Sequence, residues 1–583
     1  MSSELREEVI RLFADRTGSD EKLLEECTSI CQIYNLSAEA LLYKWEALNF
    51  RPSATRSEIS AFTMDSIVAL KALIQRDLAK ENVRKPQHRT IATSNIALVN
   101  RSRLPANMLK NASPAQRVGA VQVKSEGFGA SHVKFKGPNE DVSSRKDRSY
   151  RYMYEKISER GEALDDQIEE LTELIQTHYN VSDLGDPSLS ADEEITAIGR
   201  IVHDSDSSTT PSKLTETTVA LETSRMVSSG ARVPLRFDPE LTIRGGAQGV
   251  GSASLYPGAI VALKGKNGGG GWFLVTEILS IPPLKPTFVS LGLPNPKADP
   301  GGSDIPFSMC IASGPYTPDA DLSYKPWRAL IAALKNDKPA VTLLIGPFID
   351  VQHPKIKNGE TDILPADLFR TLFLQPLRAF LDSCPGNIAV LVPSVRDLIS
   401  RQAVFPQGEL DSELTGSDPR IHLLPNPARF SINDITFAVS SVDVVYHLRK
   451  EELLKRGKEV DTIAPSSVDD TGTDPMANTC RQLLQQRSFY PLFPVPSDVS
   501  HEVNLSVTHL NGLRLADGAE ECAPDILVLP SRLKQFSKAV SSTTALNPSF
   551  LMKGTYAKVN VAARGTVPGI KERITTEVIR LEA

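Results

Sequence analysis

Residues 341–350 read Val341-Thr342-Leu343-Leu344-Ile345-Gly346-Pro347-Phe348-Ile349-Asp350, a short β-rich run stopped abruptly by glycine and proline. Four further runs are built the same way: Met309–Ala312, Ile388–Val392, Ile435–Ser440 and Ile526–Leu529. A run that is apolar at successive positions, not alternate ones, is what a strand buried on both faces requires. Segments of helical character lie between several of them, as at Trp327–Leu334 and Ala366–Leu381. Residues 301–583 therefore read as an α/β domain, where function usually sits at the carboxyl ends of the strands.

The residues after each run are Ser313-Gly314-Pro315-Tyr316, Gly346-Pro347-Phe348-Ile349-Asp350, Pro393-Ser394-Val395-Arg396-Asp397, Ser441-Val442-Asp443 and Pro530-Ser531-Arg532-Leu533. A two-metal phosphoesterase needs carboxylates, Asn and imidazoles at such points, to hold ions about 4 Å apart and activate water. In the calcineurin-like family the signs are Asp-x-His, Gly-Asp-x-x-Asp, Gly-Asn-His-Asp or -Glu, and a late Gly-His-x-His. The second survives here only in outline, with Pro347 where its first Asp should stand. The third position, Pro393–Asp397, has neither Asn nor His, and no His-x-His occurs in the chain. Of the nine histidines, 353, 422, 447, 501 and 509 fall in this region, none at ligand spacing from a carboxylate. Ser313, Gly314, Pro347, Asp350, Ser394 and Asp397 are thus read as vestigial active-site positions, with no catalytic residue, metal ligand or cofactor expected.

Upstream, Ile195–Val202, Val219–Glu222, Val233–Phe237, Ile260–Leu263 and Trp272–Ile278 read as five strands, with glycines 268–271 at a hairpin turn. Five short strands in about 90 residues suit a barrel of the OB type. Met153, Ile157, Leu164, Ile168, Leu171, Leu174 and Ile175 predict helix before it, so 150–300 is assigned to helix plus barrel. Residues 81–149 carry few large apolar side chains and no period, which predicts a disordered linker. Ser113-Pro114 within it is a minimal proline-directed phosphorylation site. Residues 1–80 predict a small helical domain, with Leu23, Leu24, Cys27, Ile30 and Cys31 on one face and Ser37 as an N-cap. The fold class is thus multidomain α+β: a helical head, an OB-type barrel and a phosphoesterase-like domain lacking metal ligands.

A chain of 583 residues exceeds what one core supports, and its net charge of −6 argues against a surface dominated by phosphate contacts. Six scattered cysteines read as reduced thiols, in the cytosol or nucleus. The start Met-Ser-Ser-Glu-Leu-Arg-Glu-Glu shows no secretory signal, and no apolar stretch is long enough to span a membrane.

Six blocks carry a family likeness: Ala312–Thr317, Leu344–Asp350, Val392–Asp397, Arg487–Pro494, Pro524–Ser531 and Asn547–Ala557. In order and over about 270 residues they resemble the B subunits of eukaryotic DNA polymerase α–primase, and the domain layout agrees. The resemblance implies a non-catalytic accessory subunit in the nucleus that supports primer synthesis. It implies that barrel and phosphoesterase-like domain together grip the C-terminal zinc-bearing region of the polymerase catalytic subunit. Primase joins through that region, and the helical head docks other replication factors. Contact with DNA is expected to be weak or indirect. Alternatives are the B subunit of polymerase ε or δ, or a residual metal-dependent phosphoesterase.

Cys27 and Cys31 could be half a zinc site, but with no second pair nearby they read as core residues of one helix. Gly268–Gly271 lacks the Gly-Lys-Ser/Thr of a phosphate loop. Lys264, Lys266, Trp272 and Phe273 offer an OB-type nucleic-acid face, although the resemblance gives this barrel to protein. The basic residues Lys124, Lys134, Lys136, Arg145, Lys146, Arg148 and Arg151 read as a solvated linker.

Overall fold

The computed structural model describes residues 9–13, 21–34, 37–49, 67, 70, 71 and most of 131–581; within that last span it leaves out 139–140, 151–154, 183, 205–212, 270, 288–304, 467–468, 471, 517–520 and 564–572. The chain divides into two compact units, Met1–Val121 and Gln122–Ala583. In the first, helices Glu21–Tyr34 and Ala38–Asn49 bury Leu23, Cys27, Ile30, Cys31, Leu41 and Trp45 together with Val9 and Phe13. Burial, with Cys31 beside it, pushes the Cys27 thiol up to about 12. A zinc ligand must be a thiolate, so this pair belongs to the packing. Ser113, Lys124, Arg151 and most of residues 50–80 of the expected helical domain lie outside the described residues.

The second unit begins with β1 (Phe135–Lys136) and helices Val142–Asp147 and Ile157–Tyr179. Then come β2 (Ala191–His203), β3 (Val219–Thr223), β4 (Arg232–Arg244), β5 (Ser252–Leu255), β6 (Ile260–Asn267) and β7 (Phe273–Leu279). β2 pairs antiparallel with β3 and β6, β3 with β4, and β6 with β7. A parallel β4–β7 pairing closes the ring. That is a five-stranded OB topology, and all five expected strands are present. Alternation sorts their side chains: Ala197, Val261 and Leu263 point into the core, whereas Ile198, Ile260 and Ala262 face outward. The helix Ile157–Tyr179 covers that outer face with Ile168, Leu171 and Ile175, spaced i, i+3, i+7.

Next come β8 (Phe307–Ser313), β9 (Val341–Ile345), β10 (Ile388–Val392), β11 (Ile421–Leu423), β12 (Ala428–Ile432) and β13 (Ile435–Val439). β14 (Leu453–Arg456), β15 (Lys458–Val460), β16 (Ile526–Val528), β17 (Phe536–Val540), β18 (Thr543–Asn547), β19 (Thr555–Val561) and β20 (Ile574–Arg580) follow. Two six-stranded sheets result, ordered β11-β10-β9-β8-β19-β20 and β1-β12-β13-β16-β18-β17. They face each other across a core of Met309, Leu343, Val390, Phe437 and Ile526. The intervening residues of the first sheet, such as Cys310, Leu344 and Leu391, meet an outer layer containing Trp327, Phe369 and Phe373. Those of the second, Ala438 and Leu527, join the core that also fills the barrel. Burial on both faces is why these strands read as unbroken apolar runs.

Two segments pair across the expected divisions. The linker assigned to 81–149 ends early: residues 81–130 lie outside the described residues, but Val133 is buried and β1 extends the second sheet beside β12. Phe135 stacks on His422 with ring centroids 4.1 Å apart. Arg148, read as a solvated linker cation, donates from Nη2 to Glu409 at 2.6 Å. The division at 300 is crossed as well, because β14 pairs antiparallel with β5 and β15 parallel with β4. In both cases a segment with little core of its own is ordered by the edge of a sheet formed elsewhere.

Candidate functional site

The carboxyl ends of β8, β9 and β10 lie side by side because the three strands are parallel neighbours in register, Ser313 with Ile345 and Ile345 with Val392. Gly314 N–H donates to Ile345 O at 2.8 Å, and Gly346 N–H to Val392 O at 2.8 Å. Ser313 and Pro347 are buried in this row, and Gly314-Pro315 and Gly346-Pro347 are cis. A Cβ on Gly346 would come closer than 3.0 Å to both Asp397 Oδ2 and Ser394 N, so only glycine allows the β9 and β10 ends to approach.

Asp397 is buried beneath these loops. Its Oδ1 accepts from the backbone N–H of Phe348 and from that of Ile349 at 3.1 Å, and its Oδ2 accepts from Ser394 N–H at 2.8 Å. Burial pushes its pKa up to about 7 against the pull of these amides. Asp350 sits opposite it in an antiparallel bridge, with Val351 N–H donating to Arg396 O at 2.9 Å and Leu398 N–H to Ile349 O at 2.9 Å. The Asp350 carboxylate turns the other way and takes a two-pronged contact from Arg396, with Nε 3.1 Å from Oδ1 and Nη2 on Oδ2. Ser394 Oγ accepts from Arg396 N–H at 3.3 Å, and Ser394 O accepts from Gln407 Nε2 at 3.1 Å.

The second sheet contributes another closed network. Asp443, after β13, caps helix Val444–Glu451 and accepts from Arg532 N–H at 2.8 Å and Nε at 3.1 Å. Arg532 Nη2 also donates to Glu502, whose carboxylate lies 3.5 Å from His447 Nε2. His447 Nδ1 lies 3.2 Å from Tyr490 OH. The His447 imidazole and the Arg532 guanidinium hold Glu502 down to about 2. A depressed carboxyl contributes stability that is present above its unfolded value and lost as pH falls through the folded one. Acid titration from pH 4.5 toward 2 should therefore remove about 1–2 kcal/mol after allowance for solvent screening, and Glu502→Gln should abolish that limb.

A two-metal centre does not fit these residues. Asp397 spends both oxygens on backbone amides, Asp350 is held by a guanidinium, and proline stands at 347. His353, the nearest imidazole in sequence, places Nε2 3.1 Å from Pro318 O and accepts at Nδ1 from Lys355 N–H at 3.3 Å, as a helix cap. Among the described residues no group of three or more His, Cys, Asp or Glu side chains could hold a metal ion. The six expected positions, Ser313, Gly314, Pro347, Asp350, Ser394 and Asp397, converge where these three strands end. The Gln407–Asn426 pair beneath them and the His447–Glu502 contact had no sequence signal, since each joins residues of unrelated loops.

On the barrel, Phe273 is fully buried and cannot stack on a base. Trp272 is 46 % exposed at the β6–β7 hairpin, and the carboxylate run Asp192-Glu193-Glu194 lies on the β2 bulge opposite Lys266. That juxtaposition disfavours a polyanion.

Comparison with known proteins gives two matching family models. One, describing the B subunits of DNA polymerases alpha and epsilon, covers residues 309–538. The other, describing the OB domain of the DNA polymerase alpha B subunit, covers 161–281. The DNA polymerase alpha B subunit of Schizosaccharomyces pombe is 31% identical over 576 residues, spanning 93% of this chain and 94% of its own. Those of Saccharomyces cerevisiae (32%, covering 71% of this chain and 60% of theirs) and Rattus norvegicus (26%, 92% and 91%) are also similar.

Proposed function

The chain belongs to the family of DNA polymerase alpha B subunits, and from that premise we propose that it is a non-catalytic scaffold of the polymerase α–primase complex. The barrel and sandwich present one composite surface to the C-terminal region of the catalytic subunit, with primase joined through that partner. The helical head at 1–80 docks other replication factors, Ser113 is a regulatory phosphorylation site, and the assembly works in the nucleus. What supports a binding role most is the fate of the surviving strand-end carboxylates: Asp397 binds three backbone amides, and Asp350 binds Arg396. Groups so engaged are poorly placed to carry ions or activate water. A fused barrel and sandwich sharing a continuous core also supplies the rigid area that a permanent interface of more than about 2,000 Å² needs.

The purified chain should therefore show no Mn²⁺-dependent turnover of a phosphodiester. Turnover that disappears in Asp350→Ala would overturn the assignment. Co-purification followed by mass spectrometry of bound chains should recover the polymerase catalytic subunit.

A further inference from the structure

Where the helix Ile157–Tyr179 passes the segment after helix Pro475–Gln485, a cleft of about 260 Å³ opens. Leu171, Leu174, Pro491, Leu510 and Leu513 give it apolar walls, and Arg487 lies among its lining residues. Only 13 % of the Arg487 side chain is exposed, and its backbone takes the left-handed conformation at φ 52°. Nη1 donates to Gln485 O at 3.0 Å. Nε is buried and finds no hydrogen-bond partner among the described residues, and Nη2 comes no nearer than 3.8 Å to Glu521. A guanidinium has five donors, and leaving them unmade in a buried place is costly. Nε and Nη2 share the side-on edge of the guanidinium, the fork that matches the two oxygens of a carboxylate.

Neighbouring polar groups are already committed. Gln486 spends its amide on both backbone groups of Ile260, at 3.0 and 2.8 Å, and Arg514 pairs with Glu170. Glu170, Glu173 and Glu521 line the cleft with Arg487 and Arg514, and with Glu170 paired to Arg514 the remaining charge around Arg487 is weakly acidic. Such a mouth opposes a multiply charged phosphate backbone more strongly than a single carboxylate carried on an otherwise apolar or basic segment.

We propose that the Arg487 cleft is an anchoring site for a single acidic residue of a partner polypeptide, received side-on by Nε and Nη2 between the apolar walls. The assignment does not depend on which protein supplies the segment. Buried arginines are common centres of binding energy at protein interfaces.

Selective ¹⁵N-arginine labelling of the full chain tests this. The Nε–H resonance of Arg487 is identified by its absence in Arg487→Lys, with acetate as the carboxylate probe and inorganic phosphate as the alternative anion. Acetate should shift that resonance saturably, and phosphate should bind more weakly. Glu521→Gln, which removes a carboxylate from beside the fork, should tighten acetate binding about fivefold. No saturable shift with acetate, a phosphate response equal to or stronger than it, or unchanged acetate affinity in Glu521→Gln would each overturn the proposal. A stronger phosphate response would give the cleft to a nucleic acid or nucleotide instead.

Discussion

Replacing Asp397 with alanine should destabilise the second unit by about 4 kcal/mol, since each buried amide left without its acceptor costs about 1–3 kcal/mol. Three such amides, from Phe348, Ile349 and Ser394, converge on this carboxylate. The loss is local in origin but not in consequence. The same loops form the Asp350–Asp397 bridge and bury Phe348 among Tyr316, Phe369 and Phe373, with Phe348 and Phe373 centroids 4.8 Å apart. Thermal unfolding should accordingly begin about 4–5 °C lower. Asp397→Asn should cost roughly half as much, because its oxygen still accepts from two amides while its NH₂ group faces the third. Were Asp397→Ala to unfold within a degree of the wild type, the carboxylate would not be the structural centre of these loops.

The second large effect is expected at the seam between barrel and sandwich. Gly258 has φ 100°, and a Cβ there would lie closer than 3.0 Å to backbone atoms of Pro491 and Phe493. The adjacent Pro257 O accepts from Phe493 N–H at 3.0 Å, and Arg200, buried beneath, extends over the Phe493 ring at 5.8 Å. Gly258→Ala should therefore cost about 3–5 kcal/mol, combining left-handed strain with a backbone clash that no rotamer relieves. Gly249 is the control, since its φ is 83° but nothing lies within 4 Å of a Cβ there. Gly249→Ala should cost only about 1 kcal/mol. Amide exchange should rise across 256–262 and 485–494 in Gly258→Ala alone; equal behaviour of the two variants would mean the seam is not tightly packed.

Strands buried on both faces were legible because their signal is local: Val341–Ile345 and Ile388–Val392 begin and end where the apolar runs do. The barrel was legible because several of its turns carry glycine and its five strands, interrupted only by β5, lie within one stretch of chain. What escaped detection depends on partners distant in sequence. β1 is two residues long and exists because β12 offers an edge, and β15 is three residues added alongside β4 of a barrel some 200 positions upstream. β17 to β20 mix polar residues with apolar ones, as at Ser537, Lys538 and Lys558, so no apolar run marks them. At the site, the ends of β8, β9 and β10 were legible as the stops of three apolar runs. The sequence could not show that Asp397 turns inward to the backbone while Asp350 turns to Arg396, because both follow from loop geometry.

The most direct test of the scaffold role is a binding measurement against the C-terminal region of the polymerase catalytic subunit, made with the full chain, residues 131–583 and residues 1–130. The cut at 131 keeps β1 with the sheet it completes. Residues 131–583 should bind within about threefold of the full chain, a difference of less than 1 kcal/mol, and 1–130 should show no stable binding. Stable capture by 1–130, with none by 131–583, would contradict the account.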